Sequence, residues 1–356
     1  MRFRKIPYEA HTKNYEKWWN KQLNRPIISI TLSPPSIYSR GQLIEFVYDL
    51  SLPALEVARR YEENYLKQIF LGDAYPAFYV RTTGLLGVFM GQDWRVSVKD
   101  GTAWYSAIKK EPEALEFTVN PKHSMYLRTM DLLQTFQDYF HGDVVLGGAN
   151  LGGVCDVYHS IRGMENALFD LSDEPEMVAG AMEQIYKEWI KTNQHILELI
   201  DPDINHGYTH WTNILSSVPY DMIQADLAFL VSNEQYDELL HPLIVRESQA
   251  FQRSMFHMDG PGFVRHLPKL LSIPTLNGIQ WIPGAGAKPV GDWPELYEQI
   301  SASDKLLQVF IEGAKELPMA EKIAACFSDP SRICFLMSGS ITDEAKFQAF
   351  LAKYGM

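Results

Sequence analysis

The sequence has few cysteines, a deficit of positive charge and no long apolar run. Its three cysteines, Cys155, Cys326 and Cys334, form no CxxC pair, which is typical of reduced thiols in a cytoplasmic protein. Lysine and arginine total 32 against 44 aspartate and glutamate residues, a net charge of −12, and an acidic surface disfavours nucleic-acid binding. Without a run of about 18 apolar residues, or an apolar segment after the basic N-terminus, we expect neither a membrane span nor a signal peptide.

The common nucleotide-binding motifs are also missing. No GxGxxG follows the first apolar run, and no GxxxxGK[ST] occurs anywhere in the chain. We therefore expect no bound nucleotide. What the sequence does have is the composition of a globular protein, with 46% apolar and 21% charged residues in 356.

Short β-like runs alternate along the chain with amphipathic helices that carry clear start signals, such as the capping box of Ser232 and Gln235. This alternation predicts a parallel sheet of βα units. Nine segments are candidate strands, namely residues 27–32, 77–81, 144–149, 204–210, 222–226, 254–259, 276–282, 306–312 and 333–338.

A single (β/α)₈ TIM barrel over residues 1–356 accounts for this count if one candidate is an excursion. The two suspects are 204–210 and 222–226, because only a short Thr/Asn/Ser/Pro segment and no helix separates them. An N-terminal helix is predicted over residues 14–23. In such a barrel the chemistry lies at the carboxyl ends of the strands, so polar residues there are the candidate site.

His257 and Asp259 are the main candidates. Residues i and i+2 of a strand share a face, so the two side chains lie side by side just before the turn of Gly260, Pro261 and Gly262. An imidazole and a carboxylate so placed can bind a divalent metal or work as an acid–base pair. The alternative is structural, with Asp259 orienting the histidine and capping the turn.

Other polar residues follow the same logic. Tyr208 and His210 share a face if their segment is extended, although a surface loop is the alternative. Asp226 ends a strand and can accept a substrate proton or bind a cation, or it can simply face the N-terminus of the next helix. Further strand-end candidates are Asn150, Gln280, Trp281 and Glu312.

Several motifs resemble the uroporphyrinogen decarboxylase family. They are Gly153-Val154-Cys155-Asp156 leading to Ser160-Ile161-Arg162-Gly163, Gln224-Ala225-Asp226 before Ser232, His257-x-Asp259-Gly260 with Arg265-His266-Leu267, and Ile279-Gln280-Trp281-x-Pro283-Gly284. The resemblance runs from about Trp18 to the C-terminus and is closest to the branch grouped with corrinoid-dependent methyltransferases. It implies a (β/α)₈ barrel with a cleft at the strand carboxyl ends, and often a homodimer.

The family contains two chemistries. Its decarboxylases bind a carboxylate-rich tetrapyrrole through an Arg-x-x-x-Arg motif after the first strand. This chain has Thr31-Leu32-Ser33-Pro34-Pro35 there, and the next arginine is the solitary Arg40. A polyanion site without its cations is unfavourable in a protein of this charge, so we expect no decarboxylation of uroporphyrinogen.

The methyltransferase branch uses zinc, bound by a His-x-Cys pair and a cysteine near the last strand, to activate a thiol that attacks a corrinoid-bound methyl group. Here the pair becomes His257-x-Asp259, a change that zinc tolerates. The distal cysteine position matches the turn at Ser338-Gly339-Ser340. Cys334 lies on the same predicted strand and shares a face with Ser338, so it can point into the barrel, and a buried core thiol is its other interpretation.

The sequence thus predicts an enzyme that moves a methyl group between a small methylated or thiol substrate and a corrinoid supplied by a partner protein. His257 and Asp259 would form its centre, with Glu312, Cys334 or His210 completing a zinc site. Asp226 and Gln280 would orient the substrate, which Asn150 would help to bind, while Trp281 and Tyr208 would wall the pocket. The alternatives are a decarboxylase of a smaller carboxylated ring, with Asp226 or Asp259 as the acid, and a barrel that only binds a tetrapyrrole or a corrinoid protein.

Overall fold

The computed structural model describes residues 6–35, 38–81, 84–108 and 115–356. Within them the chain is a mixed α/β protein with a mainly parallel central sheet. Its strands are β1 (Ile27–Ser33), β2 (Ile69–Gly72), β3 (Ala77–Val80), β4 (Trp94–Ser97), β5 (Thr102–Tyr105), β6 (Val145–Ala149), β7 (Tyr220–Gln224), β8 (Arg253–Asp259), β9 (Gly278–Ile282), β10 (Leu306–Glu312) and β11 (Ile333–Ser340).

The helices follow the strands as βα units require, and the first helix begins earlier than the sequence pattern indicates. It covers Tyr8–Trp19 in place of residues 14–23. The helices are α1 (Tyr8–Trp19), α2 (Arg40–Tyr48), α3 (Ala54–Tyr65), α4 (Leu85–Phe89), α5 (Ser124–Phe140), α6 (Val154–Arg162), α7 (Met164–Asp173), α8 (Pro175–Glu198), α9 (Asn233–Gln235), α10 (His241–Ser248), α11 (Leu267–Leu271), α12 (Pro294–Ala302), α13 (Leu317–Ala325) and α14 (Glu344–Ala352).

The order of the large sheet is β2-β1-β11-β10-β9-β8-β7, in which only β2 is antiparallel to its neighbour. A separate parallel pair joins β3 to β6, and β4 and β5 form a hairpin. The predicted βα alternation is confirmed, because eight of the nine candidate segments are parallel strands. A closed ring of hydrogen-bonded strands is not shown, since the ladders of the described residues are interrupted between β1 and β3 and between β6 and β7.

The segment between β6 and β7 resolves which candidate is the excursion. Residues 204–210 do not form a strand, and only an isolated bridge joins Tyr208 to Ser216. Asn205 takes the place of a ladder partner for β6, because its side chain accepts a hydrogen bond from the Leu146 amide at 2.6 Å and donates one to the Leu146 carbonyl at 3.0 Å. The tip of this segment carries Trp211, whose indole meets the ring of His257 edge to face at 5.1 Å.

The amino ends of the strands pack on α1. Trp18 and Trp19 of this helix are buried in one cluster with Ile27, Val145 and Tyr220, which begin or precede β1, β6 and β7. The indole of Trp19 donates to the Leu215 carbonyl of the excursion at 2.9 Å. Aromatic burial of this kind stabilises the end of the sheet that is opposite the candidate site.

Candidate active site

A row of polar side chains crosses the sheet at one level. The strand register aligns Gln224 with His257, His257 with Gln280, Gln280 with Gln308, and Gln308 with Cys334. All five side chains are buried. Since buried polar groups need hydrogen-bond partners, the row has to satisfy itself or meet a ligand.

Hydrogen bonds along this row assign its donors and acceptors. The Gln308 amide donates to the Thr212 carbonyl at 2.8 Å, so its oxygen is left to accept from the Gln280 amide at 2.6 Å. The Gln280 oxygen then lies 2.5 Å from Nδ1 of His257 and requires a donor there. The Thr212 carbonyl can only accept a hydrogen bond, and this sets the direction of each hydrogen bond from Gln308 through Gln280 to His257. Nδ1 of His257 therefore carries the proton. In neutral His257, Nε2 is therefore an acceptor.

Three carboxyl groups lie at this end of β7 and β8. Asp259 places Oδ2 at 3.9 Å from Nε2 of His257. Asp226 lies two residues after the end of β7, and Asp156 in the first turn of α6 accepts a hydrogen bond from the Leu227 amide at 3.2 Å. Gly153 makes this close approach of α6 and β7 possible, because a Cβ there would lie 1.7 Å from the Gln224 carbonyl oxygen.

The two inner carboxyls ionise with difficulty. Burial, and next the charge of Asp156, raise the pKa of Asp226 to about 7, while His257 opposes the shift. Burial also raises the pKa of Asp156 to about 6. Asp226 nevertheless keeps access to solvent, so that a substrate can reach it. The group thus holds a proton near neutral pH, which is the property of a general acid.

The predicted zinc ligands do not come together. Glu312 lines a cavity whose lining does not include His257 or Asp259, and the buried thiol of Cys334 lies 3.8 Å from Nε2 of Gln308. Burial raises the pKa of Cys334, which opposes the thiolate form that zinc binds. Within the described residues, no three His, Cys, Asp or Glu side chains are arranged to hold a metal ion. The residues present do not fit the zinc site that the resemblance implies.

His210 and Tyr208 lie away from this group. His210 is buried with Nε2 at 3.5 Å from Oδ1 of Asp221, a buried residue of β7. Burial lowers the pKa of His210 to about 3 and raises that of Asp221 to about 7, so the pair is neutral around pH 6. Tyr208 contributes its backbone to the bridge with Ser216.

Asp221 gives a stability prediction with a definite sign. An unfolded aspartate ionises near pH 4, whereas folded Asp221 keeps its proton to about pH 7, so wild-type stability falls as the pH rises through this window. Asp221→Asn cannot ionise and should gain about 3 kcal/mol over wild type between pH 5 and pH 8, at about 1.4 kcal/mol for each pKa unit. Urea unfolding at both pH values measures this gain. Exposed Asp203→Asn is the control, and an equal effect of Asp221→Asn at both pH values contradicts the prediction.

Trp281 and Asn150 have structural contacts. Trp281 is fully buried and packs edge to face on Trp293 at 5.0 Å, because it points to the face of β9 opposite Gln280. It therefore does not wall the site. Asn150 is buried after β6, where its side chain accepts from the Gly152 amide at 3.0 Å.

A cavity of about 510 Å³ opens at the same edge of the sheet. The carboxyl ends of β1, β3, β10 and β11 line it together with Trp211 and Asn213 of the excursion. Trp211 also contacts His257, whereas His257, Asp226 and Asp259 are not among the lining residues of the cavity. Arg40 is not solitary, because Arg81 from the end of β3 lines the same cavity.

Three residues of the candidate site or the cavity were not predicted from the sequence. Gln308 had a signal, since it stands two residues into its strand just as Gln280 does in β9. Asp156 was quoted only as part of a motif, and its position in the first turn of a helix that follows a strand could have singled it out. Arg81 closes a predicted strand, but nothing in the sequence connects it with Arg40.

Comparison with known proteins shows a similar fold and does not identify a family. No family model matches the chain, and no curated protein matches it. Among solved structures it is similar to a methyltransferase from Methanosarcina mazei, with a TM-score of 0.64, 10% sequence identity, and coverage of 97% of this chain and 99% of that chain. A likeness at this identity shows a shared fold over the whole length, and membership of the uroporphyrinogen decarboxylase family stays a prediction.

None of the helices in the described residues combines the length and the apolar character that crossing a bilayer requires.

Proposed function

We propose that the protein is a methyltransferase that removes a methyl group from a small substrate and passes it to a corrinoid carried by a partner protein. The observation that carries the proposal is Asp226, a carboxyl group that keeps its proton near neutral pH beside His257 at the carboxyl edge of the sheet. The similarity to a methyltransferase fold supports this class of reaction over others.

The proposed step needs an acid. When the bond between the methyl carbon and a substrate oxygen, nitrogen or sulfur breaks, its electron pair stays on the heteroatom. Asp226 donates its proton to that atom, so that the leaving group departs neutral and the carboxylate takes up the charge. Nε2 of His257, held as an acceptor by Gln280, orients a donor group of the substrate. A corrinoid, when bound, would supply the nucleophile that takes the methyl group.

The size of the cavity is consistent with a small substrate bound by this protein and a corrinoid held by a partner protein. About 510 Å³ is the size of a site for a small organic molecule. A macrocycle held by a partner protein would instead approach the open edge of the sheet. We derive no step through zinc, because the described residues do not form its site.

We also infer that the eight parallel strands form a distorted (β/α)₈ barrel. The excursion around Asn205 would fill the gap between β6 and β7, since it already bonds to β6 and its tip reaches β8 and β10. This arrangement would place the site at the mouth of the barrel, where the carboxyl ends of the strands meet.

Decarboxylation of a small carboxylated ring is the second candidate, because the two arginines of the cavity supply cations that such a substrate needs. The same Asp226 would then protonate the carbon that carbon dioxide leaves. The two reactions differ in their products, and a protein that only binds a tetrapyrrole or a corrinoid protein would form neither.

The test is a methyl-transfer assay with chemically reduced free cobalamin as acceptor. Methyl ethers, methylamines and methyl thioethers are offered as donors, and formation of methylcobalamin is followed by its absorbance. We expect one donor class to react. Release of carbon dioxide from carboxylated rings, with no methylcobalamin from any donor, would replace the proposal by the second candidate, and neither product would favour the binding protein.

A further inference from the structure

The cavity has a charge pattern that differs from the rest of the molecule. Of its lining residues only Arg40, Arg81 and Glu312 are charged, which makes the lining net positive in a protein of charge −12. A positive concave site in an acidic protein concentrates anions locally. The first question is whether these arginines serve the fold.

Arg81 has no structural counter-ion in the described part of the chain. Its guanidinium lies over the ring of Tyr79 at 4.6 Å, and no described carboxylate comes within ion-pair distance. The burial of Arg81 is intermediate, so it is too enclosed to be an ordinary solvated surface cation. A guanidinium that stacks on a ring keeps its N–H donors in its own plane, and this edge is the one that pairs with a planar anion.

Arg40 lies near the same place without an ion pair among the described residues. Burial, and next the charge of Arg81, lower the pKa of Arg40, which shows that the two cations act on each other. Like charges held together are unfavourable unless an anion compensates them. Glu312 is the one carboxylate in the lining, and it is exposed and forms no ion pair with either arginine.

The uncharged lining residues indicate which kind of molecule the cavity can bind. Tyr61 and Tyr65 present their rings, because their hydroxyls are bonded to the carbonyls of Leu43 and Ala77 at 3.3 and 2.8 Å. Phe70 and Phe78 add further aromatic surface, while Ser33 and Ser338 carry hydroxyls at the strand ends. Aromatic walls around a cationic end suit a flat apolar molecule with one negative group.

We propose that this cavity binds a small aromatic acid, whose oxyanion pairs with Arg81 and is assisted by Arg40. Carboxylates and phosphate monoesters share this chemistry, and the test separates them. This inference rests on the proposed function, because it names the ligand class of the cavity assigned there to the small substrate. Its test measures binding alone, so it can fail separately from the reaction proposed for Asp226 and His257.

The experiment measures dissociation constants by ligand-observed NMR for benzoate, phenyl phosphate and the uncharged benzyl alcohol. We expect at least one of the two acids to bind with a Kd of about 1 mM or lower, and benzyl alcohol to bind at least about tenfold more weakly. Benzoate alone would identify a carboxylate site, and phenyl phosphate alone a phosphate site. Equal binding of benzyl alcohol, or no binding of either acid, would overturn the proposal.

Variants test the assigned side chains. Arg81→Gln should weaken binding of the acid at least about tenfold. Arg81→Lys keeps the charge and loses the paired donors, so its affinity for the acid should lie between those of the wild type and Arg81→Gln. Glu312→Gln should strengthen binding about threefold, because it removes the one negative charge. Arg60→Gln is the matched control, since Arg60 pairs with Glu56 outside the cavity.

Circular dichroism checks that each variant folds. If Arg81→Gln does not fold, variants of the two residues at the rim of the cavity test the site instead. Arg40→Gln should weaken binding of the acid, and Glu312→Gln should strengthen it. Unchanged affinity in Arg40→Gln together with weakened affinity in Glu312→Gln would refute the site.

Discussion

Replacing Asp226 by asparagine is expected to lower the rate of methyl transfer by at least about a hundredfold, the range that a positioned general acid contributes. The amide has nearly the same shape and can still donate a hydrogen bond, but it cannot release a proton to the leaving group. Because the change is nearly isosteric, we expect the variant to fold and to bind substrate with little change in KM.

The pH profile separates this role from a structural one. Asp226 acts in its protonated form, and its pKa is about 7, so wild-type kcat should be constant in mild acid and decline as the pH rises through 7. The residual activity of Asp226→Asn should lack this decline. Exposed Asp237→Asn is the control and should keep the wild-type profile. A wild-type rate that increases through pH 7 would mean that the carboxylate acts as a base.

The fold could be predicted from the sequence to the extent that it depends on local patterns. Buried parallel strands such as β1 and β10 are mainly apolar runs, and eight of the nine predicted segments are strands. The short strands β2, β4 and β5 were not predicted. β2 (Ile69–Gly72) follows closely after α3, and its four half-buried residues carry too little pattern to distinguish a helix end from a strand.

The candidate site could be predicted in part for the same reason. His257 and Gln280 are brought together at 2.5 Å because both stand near the carboxyl ends of adjacent parallel strands. The direction of a side chain was less predictable. Gln280 and Trp281 are neighbours in sequence, but the alternation of the strand sends one into the polar row and the other to Trp293. The approach of Asp156 to the end of β7, and of Arg81 to Arg40, depends on loop paths that one sequence does not encode locally.

Asp73 holds the first strand and the N-terminal helix together. It is 1% exposed, and its carboxylate accepts two hydrogen bonds from Arg25 at 2.7 and 2.8 Å, one from the Ile28 amide at 3.1 Å and one from Asn14 of α1 at 2.9 Å. The carboxylate is thus bonded from three separate directions. While Asp73 is present, the Ile28 amide and both terminal nitrogens of the Arg25 guanidinium have an acceptor.

Asp73→Ala should therefore lower the free energy of unfolding by about 3–5 kcal/mol, the usual cost of removing one partner of a buried ion pair. The loss is large because Arg25 keeps its charge, its side chain is 16% exposed, and the Ile28 amide loses its acceptor. Urea denaturation measures the change, with Asp304→Ala as the control. Asp304 pairs with Lys21 at 3.4 Å but is 73% exposed, so its loss should cost less than about 1 kcal/mol. An equal effect of the two substitutions would show that solvent replaces Asp73 as easily as it replaces a surface carboxylate, and that α1 is held by its buried tryptophans alone.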